Sequence, residues 1–230
     1  QLEWLKQGLK ESTATWKIIS SHDPFGIVTG GNGDRDSFGQ EDPAILGREL
    51  EVKDVLSFIH DNDITGVVSL TSDVHFTAHV SLDPSRAEGN FTDFKPLDEF
   101  CIGPIHAGSF GPNFMDTSFG ALYEYELGPL TKGYERWANL PPAEFDLQSF
   151  GYASVDEDGV LTVQLKGITG ETKWEKILQP TIVQGPLPIT TSDVFIQSGE
   201  ISESTANIMA RCNKEIDSTA SLYFNGSNEM

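Results

Sequence analysis

Leu2, Leu5 and Leu9 recur at three- and four-residue spacing and are followed by Ser12 and Thr13. That period predicts a helix over residues 1–11 with one buried stripe, and the hydroxyl residues favour its end. "TWKIIS" then reads as a strand, since its β-branched residues carry no helical period. From about Ala44, Leu46, Leu50, Val55, Leu56 and Ile59 supply the apolar face of a second helix, which "DND" closes. "ITGVVSL" is a short and largely apolar run, as expected of a strand covered on both faces. Helix, strand, loop, helix, strand is the alternation of an α/β sheet covered by helices, where ligands gather beyond the carboxyl ends of the strands.

The texture changes after Asp83. A polar link to Leu97 leads into "EFCIGPI" and the glycine-rich "HAGSFGPNF". "FGYASVDEDGVLTVQLKG" holds two alternating runs around Asp158-Gly159, the strongest hairpin signal in the chain, and "TKWEKIL" predicts another strand. Pro, Gly and Thr between Gln179 and Thr191 mark a linker, and "DVFIQSG", "TANIMARC" and "TASLYFNG" follow as three short strand candidates. The expected organisation is one α/β domain over residues 1–180, a linker at 181–191 and a partial β-sandwich-like segment at 192–230, which is small for an independent core.

Composition limits the functions open to such a fold. The 230 residues suffice for one large domain or for a domain and a module, and 38% apolar residues spread along the chain favour a packed core. A net charge of -20, from 15 basic and 35 acidic residues, opposes non-specific binding to nucleic acid or anionic membrane. A phosphorylated substrate binds only where metal or local positive groups reverse that field. No apolar run is long enough to predict a membrane span. The amphipathic start is unlike a signal peptide, so the chain reads as a mature or cut segment. Cys101 and Cys212 fit either one disulfide or two buried thiols, and the sequons at Asn90 and Asn225 matter only in a eukaryotic secretory pathway.

Candidate chemistry concentrates at two predicted strand ends. Asp73 and His75 follow "GVVSL", and on a continuing strand two residues apart they share a side. Carboxylate and neutral imidazole suit zinc, iron or manganese, and the carboxylate can instead fix the imidazole tautomer. The plainer alternatives are a hydrogen-bonded turn or an exposed loop. His79 reaches the same place only if the segment turns. His22 and Asp23 follow "TWKIIS", where His22 can bind metal or donate to a substrate oxyanion with Asp23 orienting it, or can be a partly exposed turn residue before Pro24.

Other segments carry weaker signals. "GGNGDRDSFGQED" places Asn32, Asp34 and Asp36 at alternate positions suited to calcium and Arg35 for a phosphoryl group, against a solvated acidic loop. It lacks the end of a phosphate-binding P-loop. "HAGSFGPNF" sets His106 beside glycines that let backbone N–H groups approach an anion or simply make a tight turn. Phe110, Phe114, Tyr134 and Trp137 fit a substrate wall or a lid on the sheet. No serine nucleophile elbow is present.

Taken in order, "QLEWLKQGLKESTATWKIISSHDP", "GRELEVKDVLSFI", "GVVSLTSDVHFTAHV" and "EFCIGPIHAGSFGPN" resemble the PhoD-like alkaline phosphatases and phosphodiesterases of the metallophosphoesterase superfamily, over roughly residues 1 to 180. The resemblance implies half of a four-layer αββα metallophosphoesterase sandwich and metal-dependent hydrolysis of phosphomonoesters or phosphodiesters. It implies two divalent or trivalent metal ions (iron, zinc, manganese or calcium), with Asp73 and His75 as ligands and His22 as a catalytic residue near metal or phosphate. An extracellular or periplasmic location is implied by the same resemblance. The family usually has Gly before this aspartate, where Ser72 stands here.

The family's early ligands have no counterpart in this sequence, and "DVFIQSGEISESTANIMARC" resembles the small β domain that opens such proteins. Inverted order fits a fragment spanning tandem copies, a circular permutation or a processed chain. A complementary polypeptide carrying the other half of the site is therefore expected, since a half-sheet leaves an open edge and an apolar face. The competing expectation is a noncatalytic acidic structural or interaction module with a degenerate phosphatase fold, calcium-stabilised through Asp34 and Asp36.

Overall fold

The computed structural model describes residues 1–29, 49–88, 91–115 and 117–181, with the backbone of two later strands at 192–196 and 221–224. Helix α1, Leu2–Glu11, buries Leu5 and Leu9 and stops at Ser12, whose backbone is extended. Helix α2, Glu49–Asp61, buries Val52, Val55, Leu56 and Ile59. The part of the expected helix before residue 49 lies outside the described residues. Lys6 joins the two helices through Asp54 at 2.5 Å.

Both helices pack into one core with Ile19, Ala78, Val80, Leu82 and Cys101. Those side chains project from one face of a sheet built of β1 (Lys17–Ser21), β2 (Val67–Thr71), β3 (Thr77–Leu82), β4 (Leu97–Cys101) and β5 (Leu122–Leu127), with β10 (Ser221–Phe224) at its edge. The order is β10-β1-β2-β4-β3-β5. β10, β1, β2 and β4 are parallel, so their carboxyl ends share one rim, while β3 runs antiparallel to both its neighbours, β4 and β5.

Alternation sends Val68, Leu70, Phe100 and Ile102 to the opposite face. There they meet Ala153, Leu161, Val163 and Leu165 of a second, antiparallel sheet. Its order is β8-β7-β6-β9, from β6 (Ser149–Val155), β7 (Leu161–Gly167), β8 (Thr172–Leu178) and β9 (Ser192–Ile196). One helical layer and two sheets make part of an αββα sandwich, as the sequence predicts. The hairpin falls where Asp158-Gly159 places it, with the Asp156 carboxylate accepting the N–H groups of Asp158 and Val160.

Strands β3 and β5 are additions to the sequence reading. "TAHVSL" forms β3 between β4 and β5, and His79 inside it disguised an otherwise apolar run. The Cys101 thiol is buried and free, beside Thr71 Oγ1 at 3.1 Å, and burial pushes its pKa up. Cys212 and the "TANIMARC" candidate strand lie outside the described residues.

Candidate functional site

β1 and β2 end in register, Ser21 opposite Thr71. Beyond them the Ser72 N–H donates to the His22 carbonyl at 3.3 Å, so the two candidate segments leave the sheet side by side. On the other flank of β2, the Ile102 N–H donates to the Thr71 carbonyl at 2.9 Å, bringing the exit of β4 to the same rim.

Asp73 and His75 do not share a strand face, because β2 has ended at Thr71 and the chain bends from residue 73 to 76. Both residues have left-handed backbones, φ +48° and +59°. That region costs a non-glycine residue roughly 1–2 kcal/mol, least for Asn, Asp and His. Neighbours hold it in place: Val74 and Phe76 are buried in the core, and the His75 carbonyl accepts from Ser109 Oγ at 2.8 Å and from the Phe110 N–H at 3.3 Å. Burying those two apolar residues lifts Asp73 into solvent and leaves His75 half-buried. The left-handed position is Asp73 itself and not Ser72, so serine meets no backbone penalty there.

The His75 ring is fixed by two contacts. Its Nδ1 lies 2.6 Å from the Gly108 carbonyl, which can only accept, so Nδ1 is the donor in this contact and Nε2 is the ring nitrogen on the far side. Phe110 stacks on the ring at 4.7 Å and 16°. A histidine whose far nitrogen donates to a carbonyl is arranged as metal-ligating histidines are. His22 has the same polarity: Nδ1 is 2.9 Å from Asp23 Oδ2, its side chain is 46% exposed and Asp23 is buried. The second oxygen, Asp23 Oδ1, is buried without a hydrogen-bond partner among the described residues.

His79 is separate and structural. Trp174 Nε1 donates to its Nδ1 at 3.2 Å, which leaves the proton on Nε2 for Asp98 at 2.7 Å, and Phe100 stacks on the fully buried ring. His106 is exposed on the loop after β4. The acidic loop with Asn32, Asp34, Arg35 and Asp36 lies outside the described residues. Among the described residues no group of three or more His, Cys, Asp or Glu is placed to hold a metal ion.

Glu99 was not singled out by the sequence. It is fully buried in β4, opposite Ser69 of β2, and its carboxylate accepts the Phe25 N–H at 2.7 Å on one oxygen and the Gly26 N–H at 2.9 Å on the other. Ser69 Oγ adds a longer contact at 3.4 Å. The segment leaving His22 and Asp23 is thus tied to the centre of the sheet. The sequence signal is an acid at the buried phase of "LDEFC".

The loop supporting His75 depends on Gly111. Its φ is +82°, and a Cβ there would lie 2.5 Å from the Phe76 ring. Its N–H donates to the Arg136 carbonyl at 2.7 Å, and Ser109 pairs with Leu140. Gly111→Ala should cost about 2 kcal/mol or more, the left-handed penalty plus displacement of a buried ring, measured by urea unfolding. A cost below about 0.5 kcal/mol would show that the loop gives way freely. Of the four aromatics noted in the sequence, Phe110 packs on His75, while Phe114, Tyr134 and Trp137 are exposed and do not seal the sheet.

The profile of the PhoD-like phosphatase family matches residues 1–165 of this chain. A solved structure titled "Structure of PhoD" is similar at 17% sequence identity and a TM-score of 0.34, covering 80% of this chain and 35% of that one. The chain therefore spans 35% of the length of that protein. No curated protein matches it significantly.

Proposed function

Because this chain belongs to the PhoD-like phosphatase family, we propose that it carries one wall of a metal-dependent phosphoesterase centre hydrolysing phosphomonoesters or phosphodiesters. The observation that carries this reading is the shared polarity of His22 and His75. Each ring has Nδ1 against a fixed acceptor, the Gly108 carbonyl for His75 and the Asp23 carboxylate for His22, on segments that leave adjacent strands side by side.

In this reading His75 Nε2 and the Asp73 carboxylate are metal ligands, and His22 is the catalytic residue beside metal or phosphate. The donor set fits zinc, iron or manganese chemistry. The bound ions would supply an activated water and neutralise charge on the phosphoryl oxygens. His22 can give a proton from Nε2 to the departing alcohol oxygen, with Asp23 holding Nδ1–H and stabilising the protonated ring. His75 is kept in one orientation by Gly108 and Phe110, so its Nε2 needs no reorganisation to coordinate. Remaining ligands are proposed to come from a complementary segment or chain, since the described residues bring no group of three or more potential ligands together. Location outside the cytoplasm is proposed on family membership alone.

Metal removal tests the reading. With the complementary segment present, chelation by EDTA should reduce hydrolysis of p-nitrophenyl phosphate and its diester by more than about 100-fold, and zinc or manganese should restore it. Hydrolysis that resists prolonged chelation would reject a metal-dependent centre.

A further inference from the structure

Arg86 and Arg136 are the arginines among the described residues, and their surroundings differ. Arg86 is committed to Asp83, Ser81 and Gly120. The guanidinium of Arg136 has no hydrogen bond or carboxylate partner among the described residues and lies 4.3 Å over the ring of Phe114. In a chain with 35 acidic residues, a half-buried arginine stacked on an aromatic ring and not on an acid is arranged for an anion from outside. Stacking fixes the plane of the guanidinium and leaves its edge donors for a forked contact to oxygen.

Backbone links place this pair next to the candidate site. The Arg136 carbonyl accepts the Gly111 N–H at 2.7 Å, and Phe110, one residue earlier, stacks on His75. The Ser109–Leu140 bridge extends the same pairing. Beside Arg136, Phe114 is 66% exposed and Trp137 57% exposed, whereas most aromatics of the sheets are covered.

We propose that Arg136, Phe114 and Trp137 form a substrate rim: Arg136 contacts phosphoryl oxygen, and the two aromatics hold a planar or apolar alcohol group of the ester. This deepens the phosphoesterase reading and rests on it. The rim selects esters with a bulky, flat-faced leaving group over those with a small aliphatic one, because a stacked ring adds contact only for the former. A cation is needed here since the field of the chain otherwise repels the substrate.

Titration calorimetry with two non-hydrolysable probes, phenylphosphonate and methylphosphonate, tests the rim on the metal-loaded protein. Phenylphosphonate should bind about tenfold tighter, the stacking increment. Phe114→Ala should lower that ratio about threefold, Trp137 keeping the remainder, and Arg136→Lys should weaken both probes about fivefold or more, since lysine lacks the planar fork. Equal affinity for the two probes, a ratio unchanged by Phe114→Ala, or no measurable binding of either probe would overturn the proposal. His75→Asn acts on a different quantity: it should weaken both probes equally and keep their ratio. A Phe114-dependent ratio in a protein insensitive to chelation would sink the metal reading and leave the rim standing.

Discussion

Replacing His75 by asparagine should lower phosphate-ester hydrolysis more than about 100-fold while changing unfolding stability by less than about 1.5 kcal/mol. Asparagine is chosen because, apart from glycine, it adopts the left-handed backbone most readily, so the +59° φ of His75 is kept and only the ring is lost. The ring is half-buried, and its loss removes one hydrogen bond to Gly108 and one stacking contact with Phe110. Those local terms are small beside the loss of an oriented Nε2. Asp73→Asn is the companion variant, retaining the +48° backbone and removing only charge. Initial rates on p-nitrophenyl phosphate, with urea melts on the same preparations, separate the two effects. A His75→Asn protein with more than about a tenth of the parental rate would deny His75 a ligand role.

Glu99→Leu should destabilise the fold by about 4 kcal/mol, the largest stability effect expected of a single polar side chain in this sheet. Leucine fills the space but leaves the Phe25 and Gly26 N–H groups buried and unpaired, at about 1–3 kcal/mol each, beyond the loss of two charge-assisted bonds. Glu99→Gln should cost about half as much, because its single carbonyl can accept one of the two donors while its amide faces the other. Urea unfolding midpoints order the three proteins. If leucine were tolerated at under about 1 kcal/mol, the tie between β4 and the segment after Asp23 would contribute little. Glutamine should also lower hydrolysis, since that tie positions His22.

Much of this architecture was legible because its residues follow one period at a time. The leucine stripe of α1, the apolar run of β2 and the alternation of β6 and β7 each matched their elements, and the ends of β1 and β2 carry His22 and Asp73 as read. β3 was hidden by His79, a polar residue that is buried only because Trp174 and Asp98 satisfy both ring nitrogens. The same-side relation of Asp73 and His75 holds only on a continuing strand, and β2 ends at Thr71; the left-handed backbones beyond it depend on Val74 and Phe76 reaching a core that sequence spacing does not reveal. Glu99 and Arg136 were not legible as site residues. Their meaning lies in partners 74 residues away at Phe25 and across a loop at Gly111, contacts made by tertiary packing.

Our proposal places metal on His75 Nε2 at the rim beyond β1 and β2. Anomalous scattering from crystals of the protein grown with zinc or manganese tests it most directly. The expected result is a metal peak about 2.0–2.2 Å from His75 Nε2, with an Asp73 oxygen in the same coordination sphere and the His22 ring facing it. Metal found only elsewhere, or a His75 ring left uncoordinated with the rest of the catalytic domain present, would contradict it.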